Sequence, residues 1–245
     1  MQPTRRSRVS IMQSAHDIAL SVKDLKTYFY TNNRCNKAIN GVSFEIRKGK
    51  TLCVVGESGC GKSVTASTIM QLLPTLSRIE QGTVIYHSDK GDVEIEKLER
   101  DGQEMRAIRG SEIAMIFQDP MTALNPVYTI GFQIGESLKY HTNLNSKEIR
   151  ERTIDLLRDM GISLPEMRID DYPHAFSGGM RQRAMIAMAM SCNPKILIAD
   201  EPTTALDVTI QAQIFELMEK LKTEHETAIM LITHDMGVVA ELADD

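Results

Sequence analysis

The sequence predicts an α/β fold built on a parallel sheet with crossover helices. Short, continuously apolar runs recur at residues 52–55, 113–117, 196–199 and 229–232, and such runs are typical of buried parallel strands. Between them lie segments with apolar residues at helical spacing, as at 210–221. Because strands alternate with helices along the chain, we expect the strands to form one parallel sheet.

Composition narrows the class of protein. Of the 245 residues, 42% are hydrophobic and 25% are charged, which excludes a fully disordered chain. The net charge is −5, whereas a nucleic-acid-binding protein normally carries an excess of basic residues, so we expect no nucleic-acid partner. The four cysteines have no metal-binding spacing, and we expect them to be reduced thiols. No apolar run approaches the ~20 residues that cross a bilayer.

The remaining elements follow from local patterns. Alternation of apolar and polar residues at 42–46 predicts a half-exposed strand, and the apolar stripe between Ile149 and Met160 predicts a helix that ends before Gly161. We expect a flexible tail over residues 1–16 and one domain over 17–245. Within that domain, the segment of about 121–190 is expected to be a helical insertion.

A phosphate-binding loop follows the run at 52–55. The motif G-x4-G-K-S is matched by Gly56, Glu57, Ser58, Gly59, Cys60, Gly61, Lys62 and Ser63. Glycines let successive backbone amides point at phosphate oxygens, a lysine adds positive charge, and a serine hydroxyl can ligate Mg²⁺. The alternative is a chance glycine-rich turn, but the position between a strand and a helix favours the phosphate loop.

Two further polar features accompany this loop. Asp200 and Glu201 end the apolar run at 196–199, where Asp200 can hold Mg²⁺ and Glu201 can polarise an attacking water. Ser177, Gly178 and Gly179 open a helix, and a helix N-terminus is a second device for binding an anion. Taken alone, the acidic pair could be a solvated turn and the Ser-Gly-Gly turn an ordinary helix cap.

Together these motifs resemble the ATP-binding-cassette (ABC) ATPases. The resemblance rests on the phosphate loop, residues 177–179, Asp200 with Glu201, residues 205–207 and His234, in this order, and covers roughly 18–245. It implies a P-loop NTPase, an ABC-type nucleotide-binding domain with a parallel-sheet core, an antiparallel β subdomain and a helical subdomain. It also implies ATP hydrolysis with ATP and Mg²⁺ as ligands.

A more detailed similarity is to the ATPases of bacterial oligopeptide and dipeptide importers. It is carried by residues 117–126, 172–183 and 200–209. The family signature commonly reads Leu-Ser-Gly-Gly-Gln. Here Phe176 stands in place of its leucine and Met180 in place of its glutamine, a variant that looks typical of this branch. The resemblance therefore implies an ATP-hydrolysing subunit that energises peptide import. Nickel and glutathione importers share many of the same motifs, so an ATPase of a nickel or glutathione importer is the alternative.

The resemblance assigns roles to further residues. Gln118 would contact Mg²⁺ and the attacking water, and His234 would contact the γ-phosphate. The structural alternatives are that Gln118 is simply a polar residue at a strand end and that His234 is a histidine with a purely structural role. Asp207 would cross a dimer interface. Phe29, or with less support Tyr28 or Tyr30, would stack on adenine, although aromatic residues at strand ends are also common in cores.

The resemblance also implies an assembly at the cytoplasmic face of the bacterial inner membrane. Its parts would be a second ABC ATPase, two membrane-spanning permease subunits and an extracytoplasmic solute-binding protein. The second ATPase could be another copy of this chain, but the resemblance favours a different, related chain. Two other classes remain open, a soluble ABC ATPase outside transport and a P-loop kinase. Only 11 residues follow His234, whereas relatives continue further, so we expect the C-terminal part of the domain to be missing.

Overall fold

A computed structural model describes residues 17–31, 34–203 and 208–245. Its centre is a parallel sheet of β3 (Thr51–Val55), β6 (Ile113–Ile116), β7 (Ile196–Asp200) and β8 (Ala228–Thr233) in the order β3-β8-β7-β6. These four strands are the predicted apolar runs, and the α/β prediction is confirmed. The prediction of burial is wrong for residues 52–55, which are only partly buried because β3 is the outer strand of the described sheet.

A second sheet is antiparallel, as the family resemblance implies. It contains β1 (Ile18–Thr31), β2 (Arg34–Arg47), β4 (Ser77–Ser88) and β5 (Gly91–Glu94) in the order β2-β1-β4-β5. The predicted half-exposed strand at 42–46 lies within β2, where only Ile46 of these residues is buried. Polar residues therefore alternate outward along this strand.

Helices connect the parallel strands. They are α1 (Lys62–Ile69), α2 (Gln103–Ile108), α3 (Pro120–Ala123), α4 (Ile130–His141), α5 (Ser146–Asp159), α6 (Pro165–Arg168), α7 (Gly178–Met190), α8 (Val208–His225) and α9 (Met236–Leu242). Short 3₁₀ turns lie at Ile95–Lys97 and Pro173–Ala175. Among these described helices, none is long and apolar enough to cross a membrane.

The segment 121–190 is helical in the structure and contains no strand among its described residues. Helix α5 begins with a capping box in which Asn145 and Glu148 each bond the other's backbone amide. It ends at Asp159, two residues before Gly161, whose φ of +68° suits a residue without a Cβ atom. The tail predicted at 1–16 lies outside the described residues.

Two apolar cores lie on the two faces of the parallel sheet. Strand β7 shows the division, because side chains alternate between faces along a strand. Leu197 and Ala199 pack into the core formed with α4, α5, α7 and α8. Ile196 and Ile198 pack into the core shared with the antiparallel sheet. All five residues of β7 are buried, so this strand is a rigid base for the residues at its end.

The residues after α9 are fastened to the edge strand β3. The Asp244 amide donates to the Thr51 carbonyl at 3.0 Å, and the Asp244 carboxylate accepts bonds from the Thr51 amide at 2.9 Å and from Lys50 and Lys222 at 3.1 Å each. Burial alone would raise the pKa of Asp244, but these donors outweigh it and hold that pKa at about 2.

We predict that Asp244→Asn lowers the free energy of unfolding at pH 7 by about 1 kcal/mol, a value discounted for partial exposure. Because the folded-state pKa of about 2 is below the ordinary 3.8, the carboxylate stabilises above pH 3.8. That stability is lost as the pH falls towards 2, so the difference between the two proteins should shrink there. Urea unfolding between pH 7 and about pH 2 measures this.

The matched control is Asp245→Asn. The Asp245 carboxylate lies 3.8 Å from the Arg47 guanidinium, and both side chains are exposed, so its removal should leave stability almost unchanged. Equal losses from both substitutions at pH 7 would contradict the role given to Asp244.

Candidate functional site

The candidate site lies at the carboxyl edge of the parallel sheet, where ligands bind in open α/β sheets. Strands β3, β7 and β8 end at Val55, Asp200 and Thr233. Since these strands are parallel, the phosphate loop, Glu201 and His234 leave the sheet at the same edge. The topology therefore brings together motifs that are far apart in the sequence.

Glycine geometry shapes the loop between β3 and α1. Gly59 and Gly61 have φ values of +82° and +101°, in the left-handed region that other residues rarely adopt. A Cβ atom on Gly61 would lie 2.5 Å from the carbonyl oxygen of Ala38 on β2. The loop thus packs closely on the antiparallel sheet, and the first amides of α1 have no intrahelical acceptor.

Lys62 is the first residue of α1 and points back along the loop. Its ammonium donates to the carbonyl oxygens of Gly56 at 2.7 Å and Glu57 at 2.9 Å. The residue is only 9% exposed, so these bonds keep a buried cation satisfied. The loop therefore holds a positive charge beside the helix N-terminus, which favours a phosphate ligand.

Asp200 and Ser63 form the oxygen-rich part of the site. The Ser63 hydroxyl donates to an Asp200 carboxylate oxygen at 3.1 Å. Burial raises the pKa of Asp200, and the negative Glu201 adds to this, whereas the Ser63 bond and Lys62 oppose it. A hydroxyl and a carboxylate are ligands that suit Mg²⁺, which keeps several waters. The described residues include no cluster of three or more His, Cys, Asp or Glu that could hold a metal ion alone.

Glu201 is held between the two other predicted catalytic residues. Gln118 donates to one carboxylate oxygen of Glu201 at 3.1 Å, and the His234 Nδ1 lies 3.3 Å from the other. The Glu201 side chain is 17% exposed, whereas that of His234 is 66% exposed. The backbone of Glu201 is left-handed, with φ +46°, and its amide donates to the Ile232 carbonyl at 2.9 Å. Sequence analysis carries no signal for this turn.

A cavity of about 590 Å³ lies between the antiparallel sheet and the phosphate loop with Gln118 and Glu201, and His234 is not part of its lining. Its lining comprises residues 58–64, Gln118, Glu201, Phe29 and residues 36–38. Tyr28 and Tyr30 do not line it, because successive residues of a strand project to opposite faces, and their hydroxyls bond Asn40 and Glu80. Residues 36–38 and Val64 also line the cavity but were not predicted from the sequence. Residues 36–38 could be placed there only from the pairing of β2 with β1.

The Ser-Gly-Gly turn lies apart from this cavity. Ser177 caps α7, its hydroxyl accepting from the Met180 amide at 3.3 Å, so the helix-cap role holds. Residues 177–179 are absent from the cavity lining within the described chain. One turn further, the buried Gln182 side chain donates to the Pro202 carbonyl, which links α7 to the Glu201 turn. Asp207 lies outside the described residues.

Comparisons with known proteins bear on the family and the fold of the chain. The family model described as ABC transporter matches residues 39–204. The probable peptide ABC transporter ATP-binding protein y4tR of Sinorhizobium fredii is 53% identical over 226 residues, which are 92% of this chain and 66% of that protein. The dipeptide transport ATP-binding protein DppD of Bacillus subtilis is 50% identical over 226 residues, with the same coverages of 92% and 66%. The chain therefore spans 66% of the length of both relatives.

A solved structure supports the fold. It is the dimeric, post-hydrolysis state of the ATP-binding cassette MJ0796 bound to ADP and Pi. It is 28% identical to this chain, with a TM-score of 0.77, and the match covers 89% of each chain. The P-loop, ABC-type fold predicted from the sequence is confirmed by this match.

We predict that Gly61→Ala destabilises the protein by roughly 2 kcal/mol or more, since a left-handed backbone at alanine and a contact with the Ala38 carbonyl act together. The control is Gly178→Ala, where a Cβ atom meets nothing within 4 Å. Urea unfolding should show little or no loss for that variant. Equal stability of Gly61→Ala and the parent chain would contradict the close packing of the loop on β2.

Proposed function

The chain belongs to the ABC transporter family, and on this basis we propose that it binds and hydrolyses ATP to power the import of peptides through a membrane transporter. The observation that carries the proposal is the position of Glu201 between Gln118 and His234, beside the phosphate loop. The names of the relatives, a peptide and a dipeptide transport protein, support peptide as the solute.

In this proposal, the triphosphate of ATP binds the amides and the lysine of the loop 56–63, and Phe29 stacks on the adenine. The buried Lys62 and the N-terminus of α1 supply positive charge without a large rearrangement. Ser63, Asp200 and Gln118 would hold Mg²⁺, which when bound neutralises phosphate charge. The Ser63 to Asp200 hydrogen bond supports this, because it already brings the two oxygen ligands together.

Glu201 is proposed to act on the attacking water. A carboxylate positions a water by accepting its hydrogen bond and, as a general base, takes its proton. Gln118 and His234 orient the carboxylate by contacting one oxygen each. In this proposal, the exposed His234 would also contact the terminal phosphate. Phosphoryl transfer needs mainly such positioning and charge stabilisation.

A second ABC ATPase is proposed to complete the site. Residues 177–179 cap a helix at a surface away from the cavity of their own chain, so they are available to a facing subunit. In a head-to-tail dimer, the loop of one chain and the Ser-Gly-Gly turn of the other would clamp one ATP, with Asp207 crossing the interface. Two ATP molecules then close the dimer, and hydrolysis opens it.

The partners complete the transporter. Two permease subunits would receive the motion through the helical segment 121–190, at the cytoplasmic face of the inner membrane. An extracytoplasmic solute-binding protein would deliver the peptide. Exposed aromatic residues in that segment, such as the stacked Tyr128 and Phe132, support a role in contacting another protein.

We predict that Glu201→Gln keeps the affinity for Mg-ATP within about twofold but lowers the hydrolysis rate at least 100-fold, the usual effect of losing a general base. If hydrolysis opens the dimer, the variant should accumulate as an ATP-bound dimer. Isothermal titration measures affinity, and analytical ultracentrifugation with Mg-ATP measures dimer formation.

The control is Glu104→Gln, an exposed glutamate on α2 outside the cavity. Its affinity, turnover and dimer fraction should match those of the parent chain. Hydrolysis by Glu201→Gln at the parent rate would refute the role of this carboxylate. Failure of the parent chain to bind Mg-ATP at millimolar concentration would refute the proposed function as a whole.

A further inference from the structure

Asn36 stands beside Phe29 at the end of the cavity away from Glu201. In the pairing of β1 with β2, Asn36 lies directly opposite Phe29. Residues opposite one another in an antiparallel pair project to the same face, with Cβ atoms about 5 Å apart. Both residues line the same cavity. An aromatic ring and an amide therefore share one corner of this site.

The two neighbours of Asn36 pair out of phase with it, although Lys37 is also among the residues that line the cavity. Cys35 pairs with Tyr30 and Lys37 with Tyr28, one residue out of phase with the Phe29 pair. The Lys37 ammonium lies 5.4 Å from the centroid of the Tyr28 ring. This cation–π contact holds the positive charge of Lys37 on the face of the sheet that carries Tyr28. Thus Asn36 is the side chain of β2 best placed to meet a ligand that stacks on Phe29.

The order of groups along β2 matches the order of groups in a nucleotide. The Ala38 carbonyl packs against Gly61 of the phosphate loop. Asn36 lies two residues further along the strand, or about 7 Å at the usual rise per residue. A nucleotide whose phosphates bind the loop would extend along β2 and carry its base to Phe29 and Asn36.

The Asn36 amide is available for such a ligand. Its side chain is exposed and makes no hydrogen bond to the described part of the chain. The other amide of the cavity lining, Gln118, is engaged by Glu201. Asn36 therefore offers an uncommitted donor and acceptor at the base end of the cavity.

We infer that Asn36 makes the site prefer adenine over guanine nucleotides. An asparagine amide pairs with adenine by accepting from the 6-amino group and donating to N7, whereas guanine presents two acceptors, O6 and N7, at the same edge. Stacking on Phe29 alone tolerates any base. This inference rests on the proposed nucleotide site and adds to it the residue that selects the base.

The test compares the affinities of the 245-residue chain and of Asn36→Ala for Mg-ATP, Mg-GTP and inorganic triphosphate by isothermal titration. The parent chain should prefer ATP to GTP, and the substitution should reduce that preference about fivefold, the lower end of the effect of a bidentate contact. Affinity for triphosphate should not change, because Asn36 is remote from the loop. The matched control is Cys35→Ala, on the opposite face of the same strand, which should keep the parent preference.

The outcomes separate the two proposals. If the parent chain binds ATP and Asn36→Ala keeps the same ratio of ATP to GTP affinity, the inference is wrong and the nucleotide site stands. A parent chain that binds neither nucleotide refutes the site and the inference with it. Equal loss of affinity for all three ligands in Asn36→Ala would indicate a disturbed fold and would also overturn base selection by this residue.

Discussion

The hydrogen bond from the Glu201 amide to the Ile232 carbonyl sets the geometry on which the rest of the site depends. This hydrogen bond adds one more bond to the pairing of β7 with β8, and the chain then turns at Glu201, whose backbone is left-handed. A left-handed backbone at a residue other than glycine costs roughly 1–3 kcal/mol of stability. Burial of the paired strands β7 and β8, which hold the turn in place, offsets this cost. The turn keeps the Glu201 carboxylate beside Gln118 and His234.

A second constraint ties the phosphate loop to the antiparallel sheet. Gly61 packs so closely on the Ala38 carbonyl that a side chain cannot be accommodated there. The cavity therefore has walls from both sheets, with the loop on one side and Phe29 and Asn36 on the other. A shift of either sheet would change the site, and the apolar core that the two sheets share resists such a shift.

The charges at this edge are arranged for ligand binding at some expense of stability. Asp200 is 5% exposed and burial raises its pKa, a cost that a purely structural residue at a strand end would avoid. Lys62 is buried, and its ammonium donates to two loop carbonyls and to the Cys60 sulfur rather than to a carboxylate. Functional sites commonly retain such unfavourable groups because their chemistry needs them.

The sequence alone determined the strands of the parallel sheet, the helical segment and the phosphate loop, because apolar period and glycine spacing are local properties. It also identified Asp200, Glu201 and His234 as polar residues at strand ends. Only the tertiary structure decided that β3 is the outer strand of the sheet formed by the described residues, that Glu201 takes a left-handed turn, and that Gln182 reaches Pro202. It alone placed Asn36 beside Phe29, since strand register and contacts between distant segments depend on how the whole chain packs.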